Sequence, residues 1–413
     1  MNSANARHPW DRPRIIALGV SGASWLLAIG LSFHESEHAQ VLGRYSWKYF
    51  AVLSGAWGLA LALSVTDAEK WLERAYAKRF QLTLLLISLG VTFGVLEALI
   101  RITDPLGISY YEEAARYQFD KVADPDLIFR HPRSWQSRYQ GADVRYNEMG
   151  LRDDPIGPKS KGEYRILFLG DSVPFGWGVA QDQIFTARLQ RLLAAKSEHL
   201  IRVINTGVGG YDTVQEVTYF KSVGLALKPD MVALLYVSND VEINTGPFDP
   251  WSSRSFRNKT LPEILNLLLG KSWLYRLVAH VSRYHSGEAT EFNSFQMVRG
   301  SEGWTASMKS LRDLAETCKN AEIPLVMFYF RWKATPYNNA LLEDLRAAVA
   351  PIPVQDMGEW FAGRDLQRYL NSKVDIHPNS AGHKVIAENL AVQLSAMKLI
   401  PHSVSRVQPG SDS

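Results

Sequence analysis

The stretch Ile166-Leu167-Phe168-Leu169-Gly170-Asp171-Ser172 decides the fold class of this chain. Its four consecutive apolar residues end at a glycine, which predicts a short strand buried on both faces, as in a parallel sheet. Further strands are predicted at Arg202–Ile204, Met231–Val237 and Leu325–Phe330 and from Val354. Segments with helical spacing, such as Leu341–Ala350, separate them. This alternation predicts an α/β fold, a three-layer α/β/α sandwich with a parallel sheet of about five strands.

Polar residues beyond these strands point to a chemistry. Ser172 follows the first strand, and Asp375 and His377 lie near the C-terminus. A hydroxyl, an imidazole and a carboxylate are the parts of a serine hydrolase, in which the histidine takes the serine proton and the carboxylate orients the ring. Ligands bind beyond the carboxyl ends of parallel strands, so we expect the three residues to meet there.

Two further segments offer hydrogen-bond donors to a developing oxyanion. Gly210 follows the second strand, and without a side chain its backbone N–H can approach an oxyanion closely. Asn239 follows the third strand and offers an amide N–H. Together with the backbone N–H of Ser172, these groups form the predicted oxyanion hole. Three neighbouring polar residues are expected to support the loops: Asp171, Asn205 and Asp240.

These segments resemble the blocks of the SGNH/GDSL hydrolase superfamily. Gly170-Asp171-Ser172 is similar to the first block, and Gly210 is similar to the glycine of the second block, with Asn205 upstream. Asn239-Asp240 is similar to the third block, and His377 is similar to the histidine of the last. The lipase-type G-x-S-x-G elbow is absent around the serine.

The resemblance covers residues 165–399, and residues 146–153 resemble the segment that precedes the core in membrane-anchored bacterial members. It implies an SGNH-hydrolase-like, flavodoxin-like sheet. It also implies a serine esterase or O-acyltransferase that acts on acyl or acetyl esters, with cell-envelope or exported polysaccharide as the expected substrate.

Two positions depart from the pattern of the superfamily. Val237 stands where the third block usually has glycine, and Asp375 stands two residues before His377 instead of three. The shorter spacing resembles the related polysaccharide O-acetyltransferases of alginate type, and Asp375 remains the predicted orienting residue. These departures are the only support for another class of function, a non-catalytic scaffold or glycan-binding component of a polysaccharide machine.

The first hundred residues predict a membrane anchor. Apolar runs lie at about 15–33, 48–65 and 81–100, and the charged residues within them are Lys48 and Glu97. As a helix, the first would span about 28 Å, close to the thickness of a bilayer core. We predict three transmembrane helices within residues 1–102. The alternative for the first run is a cleaved signal peptide.

Charges beside these runs predict the topology. Basic residues cluster within 7–14 and 70–79, whereas the loop between the first two runs has mixed charge. Basic loops stay in the cytoplasm, so the N-terminus is expected inside and everything after residue 100 on the periplasmic side of the inner membrane. Glu97 and Arg101, four residues apart, predict an ion pair on one helix face near the helix end.

Three further segments complete the predicted organisation. Residues 103–160 form a neck and lead-in without a long periodic helix, residues 161–400 the hydrolase-type domain, and residues 401–413 a polar tail. An insertion at 242–303, rich in leucine and aromatic residues, predicts a lid or substrate platform, or packing against the membrane surface. A lid that dips into lipid would suit a phospholipase or lysophospholipase, the second enzymatic alternative.

The composition of the chain limits the classes of molecule that it is expected to bind. The net charge is +3 and no basic tract with interleaved aromatics occurs, which argues against nucleic-acid binding. Cys318 is the only cysteine, so an intrachain disulfide is impossible. We predict no cofactor and no metal, with a site at His383 and Asp375 as the weaker alternative. The expected partners are an acylated glycan or lipid substrate, membrane lipid, and polysaccharide-synthesis or acyl-transfer proteins.

Overall fold

The structure, a computed structural model, describes residues 12–33, 41, 45, 47–65, 77–241, 269–285 and 299–401. The chain divides into two compact units, one comprising residues 1–105 and 256–280 and the other residues 106–255 and 281–413. Most of the insertion that was predicted to form a lid lies outside the described residues, and so does nearly all of the predicted tail.

The first unit contains three helices that coincide with the three apolar runs: α1 (Arg12–Ser32), α2 (Trp47–Val65) and α3 (Arg79–Thr103). Among the described residues, α3 is the helix long and apolar enough to cross a membrane, and only 6% of its apolar window is buried. Shorter apolar stretches, Gly19–Ser32 and Tyr49–Ser64, occupy α1 and α2. The structure therefore supports one candidate membrane span where the sequence predicts three.

The predicted ion pair near the end of α3 is confirmed. Arg101 Nε lies 3.0 Å from Glu97 Oε1. The Glu97 carboxylate also accepts hydrogen bonds from the backbone N–H groups of Trp273 and Leu274 at 2.9 and 3.0 Å. These N–H groups belong to the first turn of the next described helix of this unit, so Glu97 caps that helix from another part of the chain.

The second unit begins with a lead-in that contains a helix the sequence analysis missed. Helix α4 (Ser109–Asp120) precedes two antiparallel hairpins, β1–β2 (Val122–Asp124 and Ile128–Arg130) and β3–β4 (Gln136–Tyr139 and Ala142–Arg145). The sequence predicts no long periodic helix in this segment, and α4, with 12 residues, is of ordinary length. The inner face of α4 is built from tyrosine and alanine, so it lacks the aliphatic stripe by which amphipathic helices are usually found.

The predicted parallel sheet of five strands is confirmed. The spatial order is β6-β5-β7-β8-β9, and every neighbouring pair is parallel. This is the order of flavodoxin-like sheets, in which the first strand of the sheet lies between the second and the third. The strands are β5 (Glu163–Gly170), β6 (Leu200–Asn205), β7 (Met231–Val237), β8 (Leu325–Phe330) and β9 (Val354–Asp356).

Helices cover both faces of this sheet. Alternate residues of β5 face opposite layers: Ile166 and Phe168 join one apolar cluster, and Leu167 and Leu169 join the other. The first layer holds α6 (Phe185–Ala194) and α11 (Ser380–Ala396). The second holds α7 (Thr213–Ser222), α9 (Glu302–Asn320) and α10 (Pro336–Val349). A one-turn helix, α5 (Ser172–Phe175), follows β5, and α8 (Trp273–His285) precedes α9.

Candidate active site

The chain turns sharply where β5 ends. Gly170 has a φ of +148°, and a Cβ at this position would lie 2.9 Å from the carbonyl oxygen of Leu235, so a side chain there would be strained. Asp171 then caps α5, because its Oδ1 accepts the backbone N–H of Val173 at 3.1 Å. This turn places Ser172 at the carboxyl edge of the sheet.

Ser172, His377 and Asp375 form a continuous chain of hydrogen bonds. Ser172 Oγ lies 2.9 Å from His377 Nε2, although 205 positions separate the two residues in sequence. His377 Nδ1 lies 2.6 Å from Asp375 Oδ1. These distances meet the requirement for a hydroxyl, a base and a residue that orients the base. The structure thus brings the three sequence-predicted residues together.

Asp375 is held by donors from several segments. Its side chain is fully buried. Its Oδ2 accepts hydrogen bonds from Trp177 Nε1 at 2.9 Å and Asn371 Nδ2 at 3.1 Å. Its Oδ1 accepts from the backbone N–H of His377 at 3.1 Å as well as from the ring. The short spacing between Asp375 and His377 is therefore compatible with an oriented imidazole.

The electrostatics of His377 favour its protonated form. Burial of the imidazole lowers the pKa of His377. The negative charge and hydrogen bond of Asp375, together with the charge of Asp171, raise it by more, so the net pKa is above its ordinary value. A raised pKa makes His377 a stronger base once it is deprotonated.

The predicted oxyanion donors line the same cavity as Ser172. Gly210 adopts a φ of +83°, a left-handed conformation that glycine tolerates without strain. Asn239 Nδ2 donates to Asp171 Oδ2 at 3.1 Å, and Ser172 Oγ lies 3.2 Å from the same oxygen. Asp171 therefore fixes the amide of Asn239 beside the hydroxyl of Ser172.

Asn205 and Asp240 tie the neighbouring loops together. Asn205 Nδ2 donates to the carbonyl of Pro174 at 2.6 Å, and its Oδ1 accepts the N–H of Gly207 at 3.0 Å, which links the end of β6 to α5. Asp240 Oδ2 accepts the N–H of Val237 at 2.9 Å and so braces the loop after β7.

Two carboxyl groups of this region, Glu216 and Asp240, are almost completely buried. Burial raises the pKa of Glu216 well above its usual range, and the negative charges of Asp171 and Asp212 raise it further. Burial and the charge of Glu216 likewise raise the pKa of Asp240. Both groups are therefore more readily protonated than ordinary carboxyls, and protonation removes the repulsion between them.

The site opens onto a cavity of about 300 Å³ among the described residues. Its lining combines aromatic side chains with polar ones. The aromatic residues include Tyr110, Trp177, Phe330 and Trp332, and the polar ones include Ser238 and Asn338. Such a lining offers apolar surface to a small acyl group and hydrogen-bonding groups to the remainder of a substrate.

Arg152 was not predicted as a functional residue, and the structure places its guanidinium against the backbone carbonyls at the end of α5 and in the loop that follows. Arg152 is buried and donates to the carbonyls of Phe175, Gly176 and Val179 at 3.0, 2.6 and 2.5 Å. The signal was available, because Arg152 lies within the segment 146–153 that carried part of the resemblance.

Trp177 and Asn371 were missed for a different reason. Both donate to Asp375 from distant parts of the chain, and neither lies in a periodic segment or in a block of the superfamily. The indole stands between two glycines, Gly176 and Gly178. Only the tertiary structure shows that it reaches the carboxylate.

His383 lies apart from the hydrogen-bonded chain. Its Nδ1 accepts the backbone N–H of Phe185 at 3.1 Å, and its ring stacks on the Phe185 ring. Burial lowers the pKa of His383 to about 3, so the ring is neutral. Within the described part of the chain, no three His, Cys, Asp or Glu side chains are grouped to hold a metal ion.

Several solved structures are similar to this chain. The lipase/acylhydrolase from Enterococcus faecalis is 14% identical, with 57% of this chain and 96% of that chain covered, at a TM-score of 0.36. A catalytic mutant of an acetylxylan esterase from Geobacillus stearothermophilus is 17% identical, with 60% and 100% covered, at a TM-score of 0.36. These low values say nothing about the substrate. No curated protein matches the chain.

A match to a protein-family model is stronger evidence of the family than these similarities. The model described as the GDSL-like lipase/acylhydrolase family matches residues 168–385, more than half of the 413 residues. The match begins within β5 and ends within α11, so it contains Ser172, Asp375 and His377 as well as Gly210 and Asn239. The chain therefore belongs to the GDSL-like lipase/acylhydrolase family.

Proposed function

We propose that this protein is a membrane-anchored serine esterase or O-acyltransferase that acts outside the cytoplasmic membrane. Its expected substrates are acyl or acetyl esters on cell-envelope or exported polysaccharide. The observation that carries the proposal is the hydrogen-bonded chain from Ser172 through His377 to Asp375 beside an open cavity. Family membership supports the ester chemistry, and α3 supports attachment to a membrane.

In the proposed acylation step, Ser172 Oγ attacks the ester carbonyl carbon while His377 Nε2 takes the hydroxyl proton. The carbonyl electrons move onto the oxygen, which accepts hydrogen bonds from the N–H groups of Ser172 and Gly210 and from Asn239. When the intermediate collapses, the alcohol leaves with the proton held by His377. The acyl group stays on Ser172, and Asp375 keeps the ring oriented throughout.

Deacylation repeats these roles with a new nucleophile. A water molecule attacks the acyl-enzyme in an esterase, and a sugar hydroxyl attacks it in a transferase. His377 takes the proton of the nucleophile and returns it to Ser172 Oγ as the new acid or ester departs. The same residues serve both outcomes, so the acceptor decides between hydrolysis and transfer.

The lining of the cavity is compatible with a glycan ester as substrate. A short acyl group fits against aromatic rings such as Tyr110 and Trp177, while a polyhydroxylated partner needs polar neighbours such as Ser238 and Asn338. The amide of Asn338 is one of several polar groups at the cavity. The cavity therefore offers both kinds of contact that an acetylated sugar would use.

The proposed topology extends the single span that α3 supports. Helices α1 and α2 coincide with the other two apolar runs, and the basic residues lie within 7–14 and 70–79. Three spans with the N-terminus in the cytoplasm would place the catalytic unit in the periplasm.

The nucleophile is tested with the full chain in detergent and p-nitrophenyl acetate as substrate. We expect Ser172→Ala to lower kcat by at least ~10³-fold, because the hydroxyl forms the covalent intermediate. Ser222→Ala, which removes an exposed hydroxyl from α7, is the matched control and should retain the activity of the unmodified chain. An unchanged rate in Ser172→Ala would refute the serine mechanism.

Three further measurements separate the competing functions. A preference for acetyl over octanoyl and palmitoyl esters supports a glycan esterase, and the reverse order supports a lipid esterase. A new sugar ester in the presence of oligosaccharide acceptors identifies a transferase. A fluorophosphonate probe that fails to label Ser172 in the folded chain would favour the non-catalytic scaffold.

A further inference from the structure

Lys121 is a buried cation next to the loop that carries Gly210. It follows α4 directly, and only 4% of its surface is exposed. Its ammonium donates to the carbonyl oxygen of Gly209 at 2.6 Å and to Gln118 Oε1 at 3.0 Å. It also lies 3.9 Å from the ring centre of Phe129 and 4.6 Å from that of Tyr117. Carbonyl oxygens and aromatic faces thus replace the water that the cation loses.

Within the part of the chain that the structure describes, no carboxylate offsets the effect of burial on Lys121. A buried charge without a counter-charge is costly, and burial lowers the pKa of Lys121 well below its usual range. A negative charge that develops nearby during a reaction would supply what the ammonium lacks. The ammonium is therefore stabilised by the Gly209 carbonyl oxygen, Gln118 Oε1 and two aromatic rings, and a nearby oxyanion would stabilise it further.

The hydrogen bond to Gly209 reaches the proposed oxyanion hole through one peptide group. The carbonyl oxygen of Gly209 and the N–H of Gly210 belong to the same peptide, which is trans and planar, so they point in opposite directions. Glycines on both sides would otherwise allow this plane to rotate easily. By holding the oxygen, Lys121 sets the direction of the N–H.

The same contact also strengthens the donor. A charge-assisted hydrogen bond to a carbonyl oxygen polarises the peptide, and the opposite N–H then becomes a better donor. The contact is close enough for this effect, since Lys121 Nζ lies 2.6 Å from the carbonyl oxygen of Gly209. Both Gly209 and Gly210 line the cavity with Ser172.

We propose that Lys121 is a positioning residue for acyl transfer, whose ammonium holds and polarises the Gly209–Gly210 peptide so that the Gly210 N–H meets the oxyanion. The inference rests on the proposed function of Ser172 and Gly210. It assigns a role in the reaction to the lead-in, which lies ahead of the region matched by the family model.

The test compares three variants of the full chain in detergent, assayed with p-nitrophenyl acetate. Lys121→Arg keeps a cation and its donors, Lys121→Gln keeps a neutral donor, and Lys121→Met keeps neither. We expect kcat to fall by ~10²-fold in Lys121→Met and by ~10-fold in Lys121→Gln, with a smaller loss in Lys121→Arg. KM should stay within ~3-fold in all three, because the contact acts on the intermediate.

A boronic acid that mimics the tetrahedral intermediate provides a second readout, and its inhibition should weaken in the same order as kcat. Lys196→Met, at an exposed lysine, is the matched control. A kcat within ~2-fold of the unmodified chain in Lys121→Met overturns the inference, and so does a loss confined to KM. If Lys121→Met does not fold, the same criteria apply to Lys121→Gln.

Ser172→Ala, assayed in parallel, separates the proposed role of Lys121 from the proposed function of the whole site. An inactive Ser172→Ala beside a fully active Lys121→Met rejects only the role of Lys121. An active Ser172→Ala rejects the proposed function, and the role of Lys121 is rejected with it.

Discussion

In the proposed mechanism, Asp375 sets the pH range in which His377 acts as a base. The imidazole must be neutral to accept the Ser172 proton, so activity should fall as the pH drops through the pKa of His377, which lies above the usual value of about 6.5. Asp375→Asn removes the negative charge that raises this pKa. We expect the acid limb of kcat/KM to move to lower pH, while kcat falls by ~10³–10⁴-fold.

The pH profile of kcat/KM for p-nitrophenyl acetate measures both effects. Asp126→Asn, at an exposed loop carboxylate, is the control and should leave the profile unchanged. An acid limb that stays in place in Asp375→Asn would contradict the assignment. The free energy of unfolding depends on pH in the opposite direction to the activity. Because the folded chain favours the protonated ring, His377 stabilises the fold fully below about pH 6.5, and this stabilisation is lost as the pH rises through the pKa of the folded state.

Three of the predicted residues lie in the loops that follow strands, whereas Asp375 and His377 were predicted from the C-terminal segment. Ser172, Gly210 and Asn239 each stand beyond an apolar run, and parallel strands bring their carboxyl ends to one edge. Trp177 could not be predicted in the same way, because its indole reaches Asp375 across 198 positions of sequence. Lys121 reaches Gly209 across 88 positions, and its burial depends on packing that no local pattern encodes.

At the scale of elements, Arg152 fastens the loop after α5 to the lead-in. Arg152→Met would leave the carbonyls of Phe175, Gly176 and Val179 without this buried donor. Because several buried acceptors lose their partner together, we expect a loss of about 3 kcal/mol or more in the free energy of unfolding. For a unit of this size, that corresponds to a melting midpoint lower by roughly 6–12 °C.

Thermal unfolding of the full chain in detergent, followed by circular dichroism, measures this loss. Arg312→Met, on the exposed face of α9, should change the free energy of unfolding by no more than about 0.5 kcal/mol. Equal melting midpoints for the two variants would show that the hydrogen bonds of Arg152 contribute nothing to stability.

The ends of strands and helices were predicted correctly where apolar runs are continuous. The prediction was wrong where a capping residue determines the start of a helix. The strands Met231–Val237 and Leu325–Phe330 were predicted to the residue. Helix α10 begins at Pro336, five residues ahead of the predicted start at Leu341. Thr335 Oγ1 accepts the N–H of Asn338 at 3.1 Å, and proline suits the first helical position, so the first turn forms without apolar residues.

At the scale of the whole molecule, the anchor can be tested by placing charges in α3. Leu86 and Val91 are exposed on this helix, and arginine at the centre of a span costs about 2.5–3.5 kcal/mol. In a chain with three spans, Leu86→Arg with Val91→Arg should leave α1 and α2 inserted. We expect the variant to stay in the membrane fraction after alkaline carbonate extraction, but with its catalytic unit shielded from protease added to spheroplasts.

The unmodified chain should be membrane-bound and open to the same protease. Leu86→Ala with Val91→Ala is the matched control and should behave like it. Release of the arginine variant into the soluble fraction would show that α3 alone anchors the chain, and equal protease sensitivity of both variants would contradict the proposed topology.

The order of the strands in the sheet is the largest feature of the fold that could not be predicted from the sequence. Alternating strands and helices predict a parallel sheet, but they do not say that β5 lies between β6 and β7. That order depends on the direction in which each crossover runs. It places the loop after β5 between the loops that bear Gly210 and Asn239, which completes the predicted oxyanion site.

The packing of the lead-in has a consequence for any truncation of this protein. The family match starts at residue 168, yet Tyr117 and Arg152 precede it and pack against Phe175 and Trp177. A shortened chain that kept only the matched segment would expose the rings of Phe175 and Trp177 to water. The backbone carbonyls that accept hydrogen bonds from Arg152 would lose this donor. The smallest autonomous folding unit is therefore longer than the sequence signature by which its family is recognised.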